Sequence, residues 1–406
     1  MIIRSKRIYT HDGLVDGCME VVDGKIKRIF AGDCEGSRDI GNLRVIPGVF
    51  DTHNHGTQGF TLWPDEDGSY EDKLRGYLKG VASEGVTLVF PTLFSALGVG
   101  ENTLEVISLI AKVADGEIDG AKIGGIHFEG PYLNRVGEKG TRTEPLKIDV
   151  DFVKKIIESA GGKLRLMGLA PELPNSDKLI ALLVENGVSA AFTHTDCLSE
   201  EAFAAFDKGI TVATHLCNVM VGIHHRDVGG LGAAILDERV WCELICDGLH
   251  VTNNMIKLIL RAKPNDHVMM ISDCTGYSGA PVGTYNEFLG GSGTVIVDDK
   301  GFVREPGGRL RGSSKPVLYG IKNLTENIGL SMEEALKLSS LNPCKKYGYD
   351  ATKGSLKEGK DADFVIIDDG FNALETFVGG KKVFDRKTEG DKIFNNELLL
   401  KINGGK

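Results

Sequence analysis

The sequence has 406 residues, a formal net charge of −10, 41% hydrophobic residues and 26% charged residues. This composition is typical of a globular protein. The length suits one large domain and a smaller one. The acidic balance, without a basic stripe, argues against nucleic acid or an anionic membrane as a partner, although a small anionic substrate needs only local donors.

Membrane and disulfide signals are weak in this sequence. No apolar run reaches the roughly 18 residues that span a bilayer, and the N-terminus lacks an apolar signal core. None of the eight cysteines belongs to a CxxC pair. We therefore expect reduced thiols and a cytoplasmic location.

The two ends of the chain predict β structure. Residues 1–44 contain MIIRSKRIYT and MEVVDGKIKRIFAG, which are typical of strands, with a hairpin at Asp23-Gly24. Residues 344–406 contain DADFVIIDD and LETFVGGKKVFD, which again predict strands and a hairpin. We expect the two segments to pair into one small β domain.

Between these ends, residues 45–343 alternate strand-like and helix-like segments. Eight such βα units indicate an α/β fold, a closed TIM-like (β/α)8 barrel, with a doubly wound open sheet as the alternative. A Gly-rich insertion at about 279–314 is expected to join the β domain or to cover the site. The eight strand-like runs are VIPGVFDTHNH, GVTLVFPTL, AKIGGIHFEG, LRLMGLAPE, VSAAFTHTD, ITVATHLCN, WCELICDGLH and HVMMISDCTG.

The first run ends with two histidines one residue apart, in VIPGVFDTHNHG. Side chains two apart on a strand share a face, so His53 and His55 can converge on one point, with Asp51 on the same side. Such a pair is either half of a metal site or two hydrogen-bonded histidines near a turn. This run alone leaves both interpretations open.

Four later runs also end in polar side chains, namely Glu129, His194, His215 and Asp273. In a (β/α)8 barrel the C-terminal ends of the strands meet at the face where active sites lie. Four such groups on buried strands are costly to desolvate without a shared partner, which a divalent cation supplies. Carboxylate and imidazole ligands with an open position predict a catalytic metal site.

Other polar residues near these ends have simpler explanations. His127 is interpreted as a core residue or as a support for the ligands, and Asp247 as structural. His250 could simply cap a strand. His224 and His225 lie in a loop and are expected to be solvated.

The chain resembles the amidohydrolase superfamily and, within it, the N-acetylglucosamine-6-phosphate deacetylase family. Matching segments run nearly end to end; HFEGPYLN, THLCNVM and DGLHV are the most specific, whereas DTHNHG and GSLKEGKDADFVIID are shared across the superfamily. The resemblance implies a metal-dependent barrel with a small β-sandwich formed from both termini. It also implies hydrolysis of the N-acetyl group of N-acetylglucosamine 6-phosphate, in a homodimer with a shared active site.

The resemblance further implies roles for individual residues. Glu129, His194 and His215 fall on the principal metal site, and His53 and His55 on a second site that some members lack. One or two divalent cations per subunit are therefore expected, zinc first, with iron, manganese or cobalt as alternatives. Asp273 falls on the catalytic aspartate, which accepts a proton from water and returns it to the departing amine. Substrate contacts are implied for Asn218, Val219, His250 and Arg226, the last at the sugar phosphate and across a dimer.

One position departs from the family pattern. The family commonly has Gly-Ala-His or Gly-Thr-His shortly after EGP, and that histidine contacts the substrate. Here EKGTRTEP places Arg142 at the position. Arg142 is expected to meet the substrate or to pair with Glu138 or Glu144, so N-acetylglucosamine and N-acetylgalactosamine 6-phosphates both stay open as substrates.

Two other functions also stay open. Another amidohydrolase, such as a cyclic amidase or a D-aminoacylase, would often carry a carboxylated lysine at the fourth strand, but LRLMGLAPE has none. A non-catalytic metal-binding or sugar-phosphate-binding protein has no need for an acid–base group at Asp273.

Overall fold

The structure, a computed structural model, describes residues 1–62, 69–94, 100–135, 144–286 and 294–390. The chain begins with an antiparallel meander in which buried apolar residues such as Ile3, Ile8 and Met19 form a small core. Two further strands lie parallel to the first. The five strands are β1 (Ile2–Thr10), β2 (Gly13–Val22), β3 (Lys25–Ala31), β4 (Arg38–Asp39) and β5 (Arg44–Pro47).

The central part of the chain alternates parallel strands and helices. Several helices begin at residues whose side chains accept a backbone N–H, such as Ser69, Asp149 and Thr252. The strands are β6 (Val49–Asn54), the hairpin β7 (Gly56–Thr57) and β8 (Phe60–Thr61), β9 (Val86–Phe94), β10 (Lys122–Ile123), β11 (Ile126–Glu129), β12 (Leu164–Leu169), β13 (Ser189–Phe192), β14 (Ile210–Ala213), β15 (Trp241–Ile245) and β16 (Val268–Ile271). The helices are α1 (Tyr70–Ser83), α2 (Glu101–Ala114), α3 (Val150–Ser159), α4 (Ser176–Glu185), α5 (Ser199–Asp207), α6 (Gly229–Leu236) and α7 (Asn253–Ala262), with a 3₁₀ turn at Asn265–His267.

Eight of these strands form a barrel in the order β6-β9-β11-β12-β13-β14-β15-β16. The last strand returns to the first, because the Asp273 amide donates to the His53 carbonyl at 3.0 Å and the His55 amide to the Cys274 carbonyl at 2.8 Å. Asp51 is fully buried, and its carboxylate accepts from the Ser272 hydroxyl at 2.5 Å. Burial raises the pKa of Asp51. Contrary to the expectation that it converges with the histidines, Asp51 links the two strands that close the barrel.

The insertion after β16 forms a sheet of its own. Its four antiparallel strands are β17 (Gly283–Asn286), β18 (Thr294–Val297), β19 (Phe302–Arg304) and β20 (Leu310–Ser313). Tyr277, Tyr285 and Val295 belong to its small apolar core. Ser313 of β20 bridges to Cys274 of the barrel, and the described strands of the insertion do not pair with the terminal sheet.

The chain then completes the terminal domain. Helices α8 (Val317–Asn323), α9 (Met332–Leu336) and α10 (Asn342–Tyr347) alternate with π-helical turns at Leu324–Ile328 and Lys337–Leu341. They lead to β21 (Phe364–Ile367), β22 (Ala373–Val378), β23 (Lys381–Asp385) and the short α11 (Arg386–Glu389). Strand β21 pairs antiparallel with β5, which joins both ends of the chain in the order β23-β22-β21-β5-β1-β2-β3.

The predicted fold, a (β/α)8 barrel with a small β domain from both termini, is thus confirmed. The predicted domain limits at residues 44/45 and 343/344 stay a prediction. All eight cysteines are described, and all are free thiols. No helix in the described ranges is long and apolar enough to cross a membrane.

Candidate metal centre

Three of the predicted site residues share an unusual backbone conformation. His194, His215 and Asp273 each lie two residues beyond the end of a barrel strand, with φ of 49°, 30° and 50°. Left-handed backbone costs a residue with a Cβ on the order of 1–3 kcal/mol and persists only where the surrounding structure enforces it. The barrel therefore holds these three side chains in strained positions, a pattern typical of functional sites.

Glu129, the last residue of β11, lies at the centre of the histidine cluster, with its side chain only 3% exposed. Its Oε1 is 3.0 Å from Nε2 of His194 and 2.9 Å from Nε2 of His215. Its Oε2 is 3.1 Å from Nε2 of His55 and 3.4 Å from Nε2 of His53. One carboxylate thus joins two histidine pairs, one at each oxygen.

Hydrogen bonds orient two of the histidine rings. Nδ1 of His194 lies 2.7 Å from the carbonyl oxygen of Arg135, and Nδ1 of His55 lies 3.0 Å from that of Thr92. A carbonyl oxygen only accepts, so the ring proton belongs on Nδ1 in the neutral ring and the lone pair on Nε2 faces Glu129. This is the tautomer that a metal ligand requires.

The ring nitrogens within each pair also face one another. The two Nε2 atoms are 3.0 Å apart between His53 and His55, and 3.1 Å apart between His194 and His215. Two lone pairs aimed at one point repel unless a proton or a cation lies between them. The donor set of imidazole nitrogens and carboxylate oxygens fits a divalent cation, because each pair and Glu129 place their ligand atoms within 4.8 Å of one another.

The electrostatics of the cluster favour positive charge. Burial lowers the pKa of His53, but the charges of Glu129 and Asp273 outweigh it and hold the pKa well above its usual value. For His55, burial is likewise outweighed by Asp273 and Glu129, which raise the pKa to about 9. Burial raises the pKa of Glu129, but the charge of His53 outweighs it and keeps this pKa well below the usual range. A divalent cation would supply this positive charge in place of protons.

Asp273 lies beside the pair formed by His53 and His55. Its Oδ1 is 3.3 Å from Nε2 of His55 and 3.5 Å from Nε2 of His53, and its side chain is 14% exposed. Burial raises the pKa of Asp273, but the charge of His53 and the hydrogen bond from His55 lower it to about 2. The carboxylate is therefore ionised, which is the form that accepts a proton.

Glu243, which was not among the predicted site residues, contacts His53 at Nδ1, the ring nitrogen that faces away from Glu129. Glu243 lies in β15, is fully buried, accepts a hydrogen bond from the Thr52 hydroxyl at 2.7 Å and lies 3.3 Å from Nδ1 of His53. A carboxylate on the far nitrogen of a metal-binding histidine fixes its tautomer and raises its basicity. The signal was a single charged residue inside the apolar run WCELIC.

Changing Glu243 to glutamine is expected to lower metal affinity about 10–100-fold, the usual effect of losing such a supporting group. The amide is almost isosteric, but it carries no charge to hold the proton on Nδ1 of His53. Equilibrium dialysis with zinc would measure the affinity. Glu238→Gln, an exposed change just before the same strand, is the matched control. Unchanged zinc affinity in Glu243→Gln would exclude this role.

Two of the predicted substrate contacts, Asn218 and Val219, lie next to these histidines, and a third, His250, is held by Asp247. The Asn218 side-chain amide donates to the His215 carbonyl at 3.1 Å, and the Val219 carbonyl accepts from the Thr195 amide at 3.1 Å. Nδ1 of His250 lies 2.7 Å from the Asp247 carboxylate. Asp247, interpreted above as structural, therefore also fixes the orientation of the His250 ring.

One predicted contact, Arg226, lies on an exposed loop, and another lies outside the described residues. Arg226 is exposed on the loop after β14, where its backbone amide donates to Nδ1 of His224 at 3.3 Å. No described residue of the chain pairs with its guanidinium. Arg142 lies outside the described residues, as does Glu138. The predicted roles of all these residues stay predictions.

Comparison with known proteins identifies the class. The amidohydrolase family matches residues 44–387, so the chain belongs to the amidohydrolase family. Among curated relatives, N-acetylgalactosamine-6-phosphate deacetylase of Escherichia coli O157:H7 is 30% identical over 384 residues, covering 94% of this chain and 98% of the relative. N-acetylglucosamine-6-phosphate deacetylase of Bacillus subtilis (strain 168) is 29% identical over 404 residues, covering 97% and 99%.

A solved structure agrees with these relatives. N-acetyl-D-glucosamine-6-phosphate deacetylase from Mycobacterium smegmatis superposes with a TM-score of 0.84 at 27% identity, covering 95% of this chain and all of that chain (100%). The resemblance to the deacetylase family is confirmed. The protein is a hydrolase, and its histidine–glutamate cluster has the donor groups to hold a divalent metal ion.

Proposed function

We propose that the protein hydrolyses the N-acetyl group of N-acetylglucosamine 6-phosphate to glucosamine 6-phosphate and acetate. The observation that carries the proposal is the convergence of four histidines on the two oxygens of Glu129, with Asp273 beside His53 and His55. The full-length relatives named as deacetylases of N-acetyl amino sugar phosphates supply the substrate class. The eight free thiols support a cytoplasmic setting.

The described residues divide the work of amide hydrolysis. A divalent cation in the cluster would lower the pKa of water toward about 7 and polarise the acetyl carbonyl. Asp273 accepts the proton of the attacking water and then donates it to the nitrogen as the carbon–nitrogen bond breaks. Glu129 and the histidines hold the centre in place, and the products are acetate and a free amine.

Glu129 with His194 and His215 would hold one divalent cation, and Glu129 with His53 and His55 would hold a second. His194 and His215 face Oε1, and His53 and His55 face Oε2. Zinc is the proposed metal because it accepts mixed imidazole and carboxylate ligands with an open position. Iron, manganese and cobalt can use the same donors.

A substrate screen tests the proposed function directly. Acetate release would be measured for N-acetylglucosamine, N-acetylgalactosamine and N-acetylmannosamine, each with and without 6-phosphate. Turnover is expected for the N-acetylglucosamine phosphate and at least 100-fold slower for the unphosphorylated sugar. No acetate from any of the six compounds by protein loaded in turn with zinc, iron, manganese or cobalt would refute the proposal.

N-acetylgalactosamine 6-phosphate is a second candidate, because the E. coli relative that covers 94% of this chain is named for that substrate. Arg142 is proposed to influence the choice: arginine is longer than histidine, stays charged and only donates hydrogen bonds. We expect Arg142→His to shift the ratio of kcat/KM between the two epimers at least about fivefold, which is about 1 kcal/mol. Competition between the epimers would measure this ratio. An unchanged ratio with both rates intact would place Arg142 outside the pocket.

Arg226 is proposed to bind the substrate phosphate from the neighbouring subunit of a homodimer. Its guanidinium is exposed and unpaired in the described part of this chain, and guanidinium groups bind phosphate through two parallel hydrogen bonds. Arg226→Ala is expected to raise KM for the phosphorylated substrate at least about tenfold and to leave an unphosphorylated analogue unaffected.

Mixed dimers test whether the site is shared between subunits. Arg226→Ala and Asp273→Asn subunits, each inactive alone at low substrate, are expected to regain activity at one site when combined. For Arg226→Ala alone, equal losses of activity on the phosphorylated and unphosphorylated substrates would contradict the role of Arg226 in phosphate binding. Absence of complementation in confirmed mixed dimers would place Arg226 in its own subunit's site.

A further inference from the structure

A cavity of about 420 Å³ lies between the end of α1, the insertion, α8 and the terminal β domain. None of the proposed metal ligands lines it, and neither does Asp273. Its volume falls in the range of about 300–1,000 Å³ that is usual for small-molecule sites. The polar residues that line it include Glu84, Ser278, Lys315, Tyr319, Lys322 and Arg386.

Glu84 is the buried polar anchor of this cavity, only 6% exposed. Its Oε1 accepts three hydrogen bonds, from the hydroxyls of Thr57 and Ser278, both at 2.6 Å, and from the side-chain amide of Gln58 at 3.0 Å. No described residue donates to Oε2. This oxygen is not fully enclosed by protein, so an N–H or O–H group of a ligand in the cavity can donate to it.

Cationic side chains line the same cavity. Lys315 is half-buried, its Nζ is 5.0 Å from the ring centroid of Tyr319, and no described carboxylate lies within ion-pair distance of it. Lys322 reaches Glu326 only at 4.0 Å. The Nε of Arg386 donates to the Ala373 carbonyl, which leaves its terminal nitrogens for other acceptors. Three such groups favour an anionic group with several oxygens.

Two aspartates, Asp298 and Asp299, also line the cavity. Asp298 is engaged by Arg304 and by the amide of Phe302. Asp299 is exposed to solvent. Glu84 and Asp298 are thus engaged by protein donors, whereas the three cationic side chains have no described carboxylate closer than 4.0 Å and can meet an anionic ligand.

We propose that this cavity is a second ligand site for a small molecule with both an ammonium and a phosphate group, of the class of amino sugar phosphates. The ammonium would donate to Oε2 of Glu84, and the phosphate would bind among Lys315, Lys322 and Arg386. Glucosamine 6-phosphate, the product of the proposed function, belongs to this ligand class. The choice of this probe therefore rests on the proposed function. Binding at the site itself requires no turnover.

Binding stoichiometry tests the site in the zinc-loaded protein. Equilibrium dialysis with glucosamine 6-phosphate is expected to give two molecules per subunit for wild type and one for Lys315→Met. Methionine keeps the apolar stem over the Tyr319 ring and removes the charge. The control is Lys300→Met, an exposed change in the turn beside the cavity that does not line it, and it should keep both sites. Fructose 6-phosphate, which lacks the ammonium, should bind to this site at least fivefold more weakly.

The outcomes separate this inference from the proposed function. The second site would be overturned if wild type bound only one molecule of glucosamine 6-phosphate per subunit. It would also be overturned if folded Lys315→Met and folded Lys322→Met each still bound two. Either result would count even if acetate is released in the substrate screen. If the substrate screen fails but the second molecule binds and is lost in Lys315→Met, the inference stands without the proposed function. Equal affinity for fructose 6-phosphate would refute the role of Glu84. Thermal unfolding of each variant verifies that it is folded.

Discussion

Replacing Glu129 with glutamine is expected to remove most of the bound metal and to lower kcat/KM at least about 10³-fold, a loss of about 4 kcal/mol of transition-state stabilisation. The two oxygens of Glu129 each face one histidine pair, so a single substitution affects both halves of the centre. Glutamine has the same shape but neither the charge nor a second acceptor oxygen. Metal content and turnover of the purified protein would be measured together.

A matched control separates loss of the ligand from loss of a charge in general. Glu185→Gln, at the exposed end of α4, should retain wild-type metal content and rate. His194→Asn removes one ligand from a single side of Glu129 and should lower metal content less than Glu129→Gln does. Normal metal content with normal turnover in Glu129→Gln would exclude the cluster as the catalytic centre.

The sequence was most informative where a strand ends. Glu129, His194, His215 and Asp273 each follow an apolar run, and the C-terminal ends of the barrel strands lie on one face, so their proximity followed from topology. The pair formed by His53 and His55 followed from the two-residue repeat of a strand. These inferences need only the two-residue repeat of side chains along a strand and the direction in which each strand runs. A single sequence contains both.

Contacts across the barrel could not be predicted in the same way. Glu243 and Asp51 each occupy apolar strands, and a single sequence does not say whether a buried carboxylate faces a histidine or a neighbouring strand. In the structure Glu243 supports His53, whereas Asp51 bonds Ser272 at the barrel closure. The place of the insertion, in the β domain or over the site, also stayed open, because a single sequence does not identify the elements that a segment packs against.

Asp273→Asn is expected to keep the metal and the substrate but to lower kcat by roughly 10³–10⁴-fold. General acid–base groups contribute about 10²–10⁴-fold, and a residue that both accepts and returns the proton belongs near the upper end. Oδ1 of Asp273 lies 3.3 Å and 3.5 Å from the Nε2 atoms of His55 and His53. Asparagine fills the same space next to the metal ligands but cannot accept the proton of the attacking water.

The split between kcat and KM then decides the role of Asp273. If Asp273 acts only in the chemical step, kcat and kcat/KM fall together while KM and metal content stay near wild type. If it instead served mainly as a metal ligand, metal content would fall with the rate, as expected for Glu129→Gln. Metal analysis and saturation kinetics on the same preparation distinguish these results. A fall in kcat of less than about tenfold would show that another group accepts the proton, because an essential base contributes at least about 10²-fold.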